Sequence, residues 1–229
     1  MINKYNRIAR IYPAVLCSVP IFVLNYFYLH SYTTGLVGSL EGVRWVGGLT
    51  ISVALTFLLA QIGRYIGKEL YEKTHFFDEL RMPTTQMLLH GDSTYSVEHK
   101  SKVHDKIFKD FGIRISTVSE EQLDDNHARK LIVECVSMIR GKVKDGHLLL
   151  QHNIEYGFIR NLIGGSVVSV FISICNLFIF GSFFKDTIAY DISLFTAVSY
   201  LLIISLGRFL IGRYGIRYAK VLIQEYLLL

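Results

Sequence analysis

Long runs without a single charged side chain dominate this sequence. Residues 11–40, 45–63 and 161–184 contain no Asp, Glu, Lys or Arg, and no charge occurs between Asp191 and Arg208. A helix needs about 20 mostly apolar residues to cross a hydrocarbon core about 30 Å thick. A charge at mid-bilayer costs roughly 2.5–3.5 kcal/mol. These windows therefore predict membrane-spanning helices, because the helices of a soluble core are normally amphipathic.

The windows predict four spans. The fourth window is short, and it reaches full length if the side chain of Arg208 extends to the interface. Pro13 and Pro20 lie in the first span and predict a kink there, with the freed carbonyls bonded by neighbouring helices. The predicted spans are Ile11–His30, Trp45–Gly63, Asn161–Phe184 and Ile192–Gly207.

The distribution of charge predicts the orientation. Lys4, Arg7 and Arg10 precede the first span without an acid, and the tail from Arg208 has four basic residues against one acidic residue. Residues 64–160 carry 15 basic and 15 acidic residues, so the net charge of +5 comes from the flanks. The positive-inside rule places both termini and the central region in the cytoplasm. The positive net charge of the chain thus indicates its orientation in the membrane and not nucleic-acid binding.

The central region carries helix signals. The second span continues to about Lys73, and Pro83 with the threonines after it marks a helix stop and restart. Gly112 has the position of a helix C-cap. Ser119 and Gln122 have capping-box spacing and open a further helix, which Gly141 and Asp145-Gly146 end. From His147 a helix of about 35 residues is predicted to run into the third span.

The fold class is therefore all-α. We expect a polytopic membrane protein with four transmembrane helices and a helical cytosolic domain between the second and the third. The predicted parts are residues 1–66 (first transmembrane hairpin), 67–158 (cytosolic helical domain), 159–213 (second transmembrane hairpin) and 214–229 (cytosolic tail).

The sequence shows no catalytic signature. It contains no G-x-S-x-G, no Walker A motif and no G-x-G-x-x-G. Seven of the eight histidines lie in the central region, but the pairs His99/His104 and His147/His152 are five apart, which does not stack ligands on one helix face. We therefore expect no enzyme activity, no metal and no cofactor. The spans also lack the intramembrane charges of proton relays and of transporters for charged substrates.

A stripe of small and polar residues follows one face of the third span. Small residues let helices approach closely. Two interpretations stay open: a helix-packing face, or the lining of a polar conduit formed by oligomerisation. The stripe comprises Gly165, Ser169 and Ser173, with Asn176 adjacent.

Two stretches, residues 83–92 and 153–165, are too specific for spacers. Arg160 and Asn161 stand where the predicted cytosolic helix enters the membrane, so they form either a hinge for a cytosolic signal or an interfacial anchor with a packing notch. From the two stretches we predict ligand or gating residues Thr84, Thr85, His90, Asp92, Tyr156, Arg160 and Asn161.

The motifs that begin at Pro83 and at Tyr156, together with the four-span layout, resemble small membrane proteins found beside a nucleotidyltransferase in bacterial anti-phage defence loci. The family is that of the Hailong-type channels. The resemblance implies an oligomeric channel of a bacterial inner (plasma) membrane, whose cytosolic part responds to a nucleotide oligomer. A polyanion site is normally basic. Two interpretations are open for one group of lysines: a basic surface around an oligomer axis, or a solvated face balanced by nearby acids. The group comprises Lys100, Lys102, Lys106 and Lys109.

We therefore expect an oligomeric membrane effector or channel, gated through its cytosolic domain by a nucleotide signal or a partner protein. The alternative is a non-conducting membrane anchor or sensor that docks a soluble enzyme. The expected partners are the lipid bilayer, further copies of the chain, and a nucleotide oligomer or a soluble nucleotidyltransferase.

Overall fold

The structure is a computed structural model that describes residues 4–33, 41–143 and 146–229. Helix accounts for 86% of the chain, and no strand occurs among the described residues. The all-α prediction is therefore confirmed. Half of the loop predicted between the first two spans, and Asp145 of the predicted helix end, lie outside the described residues.

Nine helices make up the described part of the chain. Three of them contain a wide-turn π-helical segment, at Asn6–Ile11, Ile66–Glu72 and Ile179–Phe184. The helices are Asn6–Cys17 (α1), Val19–Thr33 (α2), residues 41–76 (α3), Pro83–Gln86 (α4), Val97–Phe111 (α5), Val118–Leu123 (α6), Asp125–Lys142 (α7), His147–Phe184 (α8) and Thr187–Leu228 (α9).

Helices long and apolar enough to span a membrane number three or four in the described residues. Thr50–Phe76, α8 and α9 qualify alone, and α1 with α2 qualifies as a pair bent by 41°. Only 28%, 22% and 28% of the most apolar windows of the three single helices are buried inside the protein. Helices of a soluble core would be mostly buried, whereas these leave side chains such as Phe171 and Phe195 67% and 73% exposed. Large exposed apolar surface marks a contact with membrane or partner, so the structure supports a membrane location.

The chain divides into two compact units. The first is Met1–Tyr71 with Gly157–Arg208, and the second is Glu72–Tyr156 with Phe209–Leu229. Residues 214–229, which the sequence predicts to be a separate tail, belong to the second unit.

The core of the second unit is built by α5, α7 and the end of α9. Val103 and Ile107 of α5 and Ile132 of α7 are 0% exposed and belong to one apolar cluster. The end of α9 contributes buried side chains at helical spacing to the same cluster: Ala219, Leu222, Ile223 and Tyr226. Burial of a large aliphatic side chain stabilises a fold by about 1.5–3 kcal/mol, so the last turns of the chain are structural.

The predicted capping box is displaced by two residues. The structure places it at Thr117 and Glu120: the threonine side chain accepts from the Glu120 amide, and the Glu120 carboxylate accepts from the Thr117 amide at 2.7 Å. The predicted box at Ser119 and Gln122 is therefore wrong. Thr117 has extended backbone angles, as an N-cap residue requires, whereas Ser119 already lies inside the helix. The Gly112 C-cap is confirmed, with a φ of 70°.

Candidate functional site

Helices α3 and α8 cross in the first unit with their backbones in contact. A Cβ atom on Gly164 would overlap the carbonyl oxygen of Gly63 and lie 2.5 Å from the nitrogen of Gly67. A Cβ atom on Gly63 would lie 3.1 Å from the Cα of Gly165. Only glycine fits such a crossing, which is the role of small residues in helix packing within membranes. Gly165 also faces the first span, because its Cβ position is 2.8 Å from the Sγ of Cys17.

The two prolines of the first span explain why polar side chains face it. A proline has no N–H to donate to the carbonyl four residues earlier. Pro13 leaves the carbonyl of Ala9 without its donor in the helix, and this carbonyl accepts a hydrogen bond from Nδ2 of Asn161 at 2.6 Å. The carbonyl four residues before Pro20 accepts from the hydroxyl of Tyr200 at 2.6 Å. The sequence prediction that neighbouring helices bond the freed carbonyls is confirmed.

The polar stripe of α8 lies inside the first unit. Ser169 donates to the carbonyl of Cys17 at 2.5 Å, and Nδ2 of Asn176 donates to the carbonyl of Pro20 at 2.9 Å. Ser173 pairs with a threonine hydroxyl of α9 at 3.1 Å. All three side chains are fully buried. Within one copy of the chain the stripe therefore makes helix–helix hydrogen bonds, and its role in a pore stays a prediction.

The other predicted residues of the second stretch lie in different units. The carbonyl of Arg160 is packed directly against Gly67 in the first unit. Tyr156 belongs to the second unit, where it is buried and its ring stacks on that of Tyr218 with centroids 6.1 Å apart.

Thr84 and Thr85 form part of the short helix α4 and are buried in the second unit, at 2% and 1% exposure. The hydroxyl of Thr85 donates to the carbonyl of Glu79 at 2.8 Å. That bond holds a turn in which Phe77, Asp78 and Glu79 all have positive φ, an uncommon conformation for residues other than glycine. Thr85 therefore supports the local chain path.

His90 and Asp92 lie on the loop after α4, which a buried lysine holds in place. Lys100 is 4% exposed, and its Nζ donates to the carbonyls of Leu89 and His90 at 3.0 and 2.9 Å, and to that of Asp92. A buried ammonium group needs such partners. Of the four lysines predicted to form a surface, Lys100 is therefore buried and has a structural role.

Glu121 and His104 hold the same loop from the other side. Glu121 accepts from the amides of His90 and Gly91 at 2.8 and 2.9 Å, and Nε2 of His104 bonds the carbonyl of Leu88 at 2.8 Å. The rings of His90 and His104 meet edge to face, 5.1 Å apart. Burial lowers the pKa of His104, and the neighbouring His90 and Lys100 lower it further.

A cleft of about 720 Å³ opens beside this loop in the second unit. His90, His104 and Arg114 line it, and the rest of its lining includes both apolar and polar side chains. Val97 and Phe108 at its rim are 74% and 58% exposed. The cleft combines apolar side chains with polar groups, as binding pockets do. In the described residues no three His, Cys, Asp or Glu groups are placed to hold a metal ion.

The start of α8 and the end of α9 are joined in the second unit. Oε1 of Glu225 accepts from the amide of Leu149 at 3.0 Å and so caps the first turn of α8. A Cβ atom on Gly146, the residue before the helix, would overlap Oε2 of the same carboxylate. A carboxylate at a helix N-terminus also interacts favourably with the helix dipole. The two long helices are therefore fixed to each other by one side chain.

The predicted site residues thus fall into separate groups, with His90 and Asp92 on the loop beside the cleft and Asn161 in the first unit. Sequence reasoning missed Lys100, Glu121 and Glu225 as partners of these segments. The end of α9 does carry a sequence signal for a packed helix, since its buried residues recur at i, i+3, i+4 and i+7. No protein-family model, curated protein or solved structure matches the chain.

Proposed function

We propose that this chain is an oligomeric membrane effector whose cytosolic helical unit controls a pore formed by its membrane-embedded unit. The first unit contributes four spans, with α1 and α2 as one bent span, and the second unit lies in the cytoplasm with both termini. The resemblance to Hailong-type channels adds a nucleotide oligomer as the class of ligand and bacterial anti-phage defence as the setting.

The continuity of α8 and α9 carries this proposal. Helix α8 begins at His147 in the second unit and runs without a break through residue 157 into the first. Helix α9 leaves the first unit at residue 208 and continues to Leu228 in the second. We therefore expect a shift of either helix in the second unit to act on the first unit along the helix that both units share.

The cleft beside His90 is a place where a ligand can bind close to the apolar core of the second unit. Its floor is the loop that Lys100 and Glu121 hold, and the helix that provides Lys100 packs in the same apolar cluster as the end of α9. A ligand that binds one arrangement of these elements better than another shifts their equilibrium by its difference in affinity.

Liposomes made with purified protein test the proposal. We expect a particle of three or more chains in mild detergent, and potassium flux that a nucleotide oligomer changes. Mass and flux are measured on one preparation, with empty liposomes and liposomes containing heat-denatured protein as controls. A monomer or dimer in liposomes that stay tight, with and without added nucleotide oligomers, would refute it.

The exposed rim of the cleft favours a second function, the docking of a soluble enzyme by a non-conducting anchor. Val97 and Phe108 on α5 and Val118 on α6 are each more than half exposed around one opening. Exposed apolar groups rimmed by polar ones mark protein contacts. A stable stoichiometric complex with a soluble nucleotidyltransferase, without flux, would favour this function. Phe108→Ser is then expected to abolish the complex.

A further inference from the structure

Three packed helices of the first unit each carry an arginine close to a helix–helix contact. On α1, Arg10 lies over the ring of Tyr5 at 5.6 Å, and the hydroxyl of that tyrosine is 3.0 Å from the Cβ position of Gly157 on α8. One turn further along α8, the backbone touches Gly67 of α3, and Arg64 lies three residues before that glycine, next to Gly63 at the crossing of the two helices.

Helix α9 carries a further arginine beside a helix–helix contact. Gly207 is packed against Tyr71 of α3, whose hydroxyl lies 2.5 Å from the Cβ position of that glycine. Arg208 follows directly and is exposed. The glycine contacts that close the helix crossing thus also set the positions of the arginines beside it.

The charges of these arginines are not neutralised within the described residues. No carboxylate there is within ion-pair distance of Arg10, Arg64 or Arg208, and the acid Glu69 pairs with its neighbour Lys68 at 3.8 Å. Uncompensated cations at a protein surface attract anions, and the attraction is strongest beside a low-dielectric region.

The surroundings of the cluster are those of a membrane interface. Tyr12 and Tyr65, next to Arg10 and Arg64 along the chain, are 47% and 61% exposed, and aromatic residues of this kind are typical of the headgroup level. Beyond them the exposed side chains include large apolar ones, with Leu58 at 54%. An anion that reaches these arginines is therefore one that lies at the edge of a hydrocarbon layer.

We propose that Arg10, Arg64 and Arg208 form a binding site for the phosphate headgroups of anionic phospholipids. Basic pockets between membrane helices on the cytoplasmic side bind such headgroups, and each basic residue near the surface contributes about a fivefold preference. The inference rests on the membrane placement in the proposed function and does not depend on conduction.

Lipid binding to the full-length protein tests the site directly. The protein in detergent is mixed with equal amounts of phosphatidylglycerol and phosphatidylcholine, and bound lipids are counted by native mass spectrometry. We expect phosphatidylglycerol to be preferred, with the preference falling about fivefold for each arginine changed to glutamine. The Arg→Lys triple variant keeps the charge and is expected to keep the preference, which separates loss of the site from loss of the fold.

Matched controls remove the same charge elsewhere. Equal binding of the two lipids by the wild type, or an unchanged preference in the Arg→Gln triple variant, would overturn the site. Equal loss in the control variant would assign the effect to total charge. Displacement of the lipid by soluble glycerol 3-phosphate at similar concentrations would assign it to a free phosphate. The control triple variant, in exposed positions of the second unit, is Lys102→Gln, Lys109→Gln and Lys130→Gln.

Discussion

Replacement of Gly164 by alanine tests the backbone contact between α3 and α8. The added Cβ would overlap the carbonyl oxygen of Gly63 and lie 2.5 and 2.9 Å from the nitrogen and Cα of Gly67. All three are backbone atoms, so no side-chain rotation relieves the overlap. To reach an ordinary contact near 3.4 Å, the helices must separate by about 1 Å or more. Overpacking of this kind costs about 1–3 kcal/mol.

Gly212→Ala is the matched control, because a Cβ at Gly212 meets nothing within 4 Å. Alanine in place of a helical glycine with free space around it stabilises by up to about 1 kcal/mol. Unfolding in mild detergent, followed by circular dichroism, is expected to show a lower midpoint for Gly164→Ala and an equal or higher one for Gly212→Ala. A Gly164→Ala protein as stable as the control would refute the close crossing.

Three further predictions concern the second unit. Glu225→Ala removes the cap of α8 and is expected to lower the free energy of unfolding by about 0.5–2 kcal/mol, whereas the exposed Glu134→Ala changes it little; equal effects in denaturant titrations would contradict the cap. Thr117→Ala is expected to cost about 1 kcal/mol and Ser119→Ala close to nothing, and the reverse order would restore the capping box predicted from sequence. The pKa of His104 is lowered in the folded protein, so the unfolded chain binds the proton more readily and stability falls as pH drops below about 6.5. The unfolding midpoint is expected to fall from pH 7.5 to pH 5.5, and to fall less in His104→Gln; a loss of equal size in the variant would contradict the assignment.

The sequence predicted the spans because their signal is local. Charge-free windows and prolines act within one helix, so the kink near Pro13 and Pro20 followed directly from the residues. The partners of the freed carbonyls required the fold, since Asn161 lies 152 positions from Ala9 along the chain. The prediction could state that such partners exist but could not name Tyr200.

For the loop beside the cleft, the motif could be predicted from the sequence but the residue that holds it could not. His90 and Asp92 stood out as a motif, but Lys100 read as one of several surface lysines, because nothing in its local sequence indicates burial. Its role depends on three carbonyls of a loop eight to eleven residues earlier. The end of α9 is a different case, since its helical spacing of apolar residues was present and the preceding charges suggested a tail.

The side chain that joins α8 to α9 allows the most direct test of control by the second unit. Glu225→Gln keeps an acceptor for the amide of Leu149 and removes the charge that favours the helix N-terminus. Potassium flux from liposomes containing this variant is compared with that of the wild type and of the control Glu134→Gln. We predict that flux changes for Glu225→Gln alone. The same flux from all three proteins, or liposomes that stay tight with each, would contradict the account.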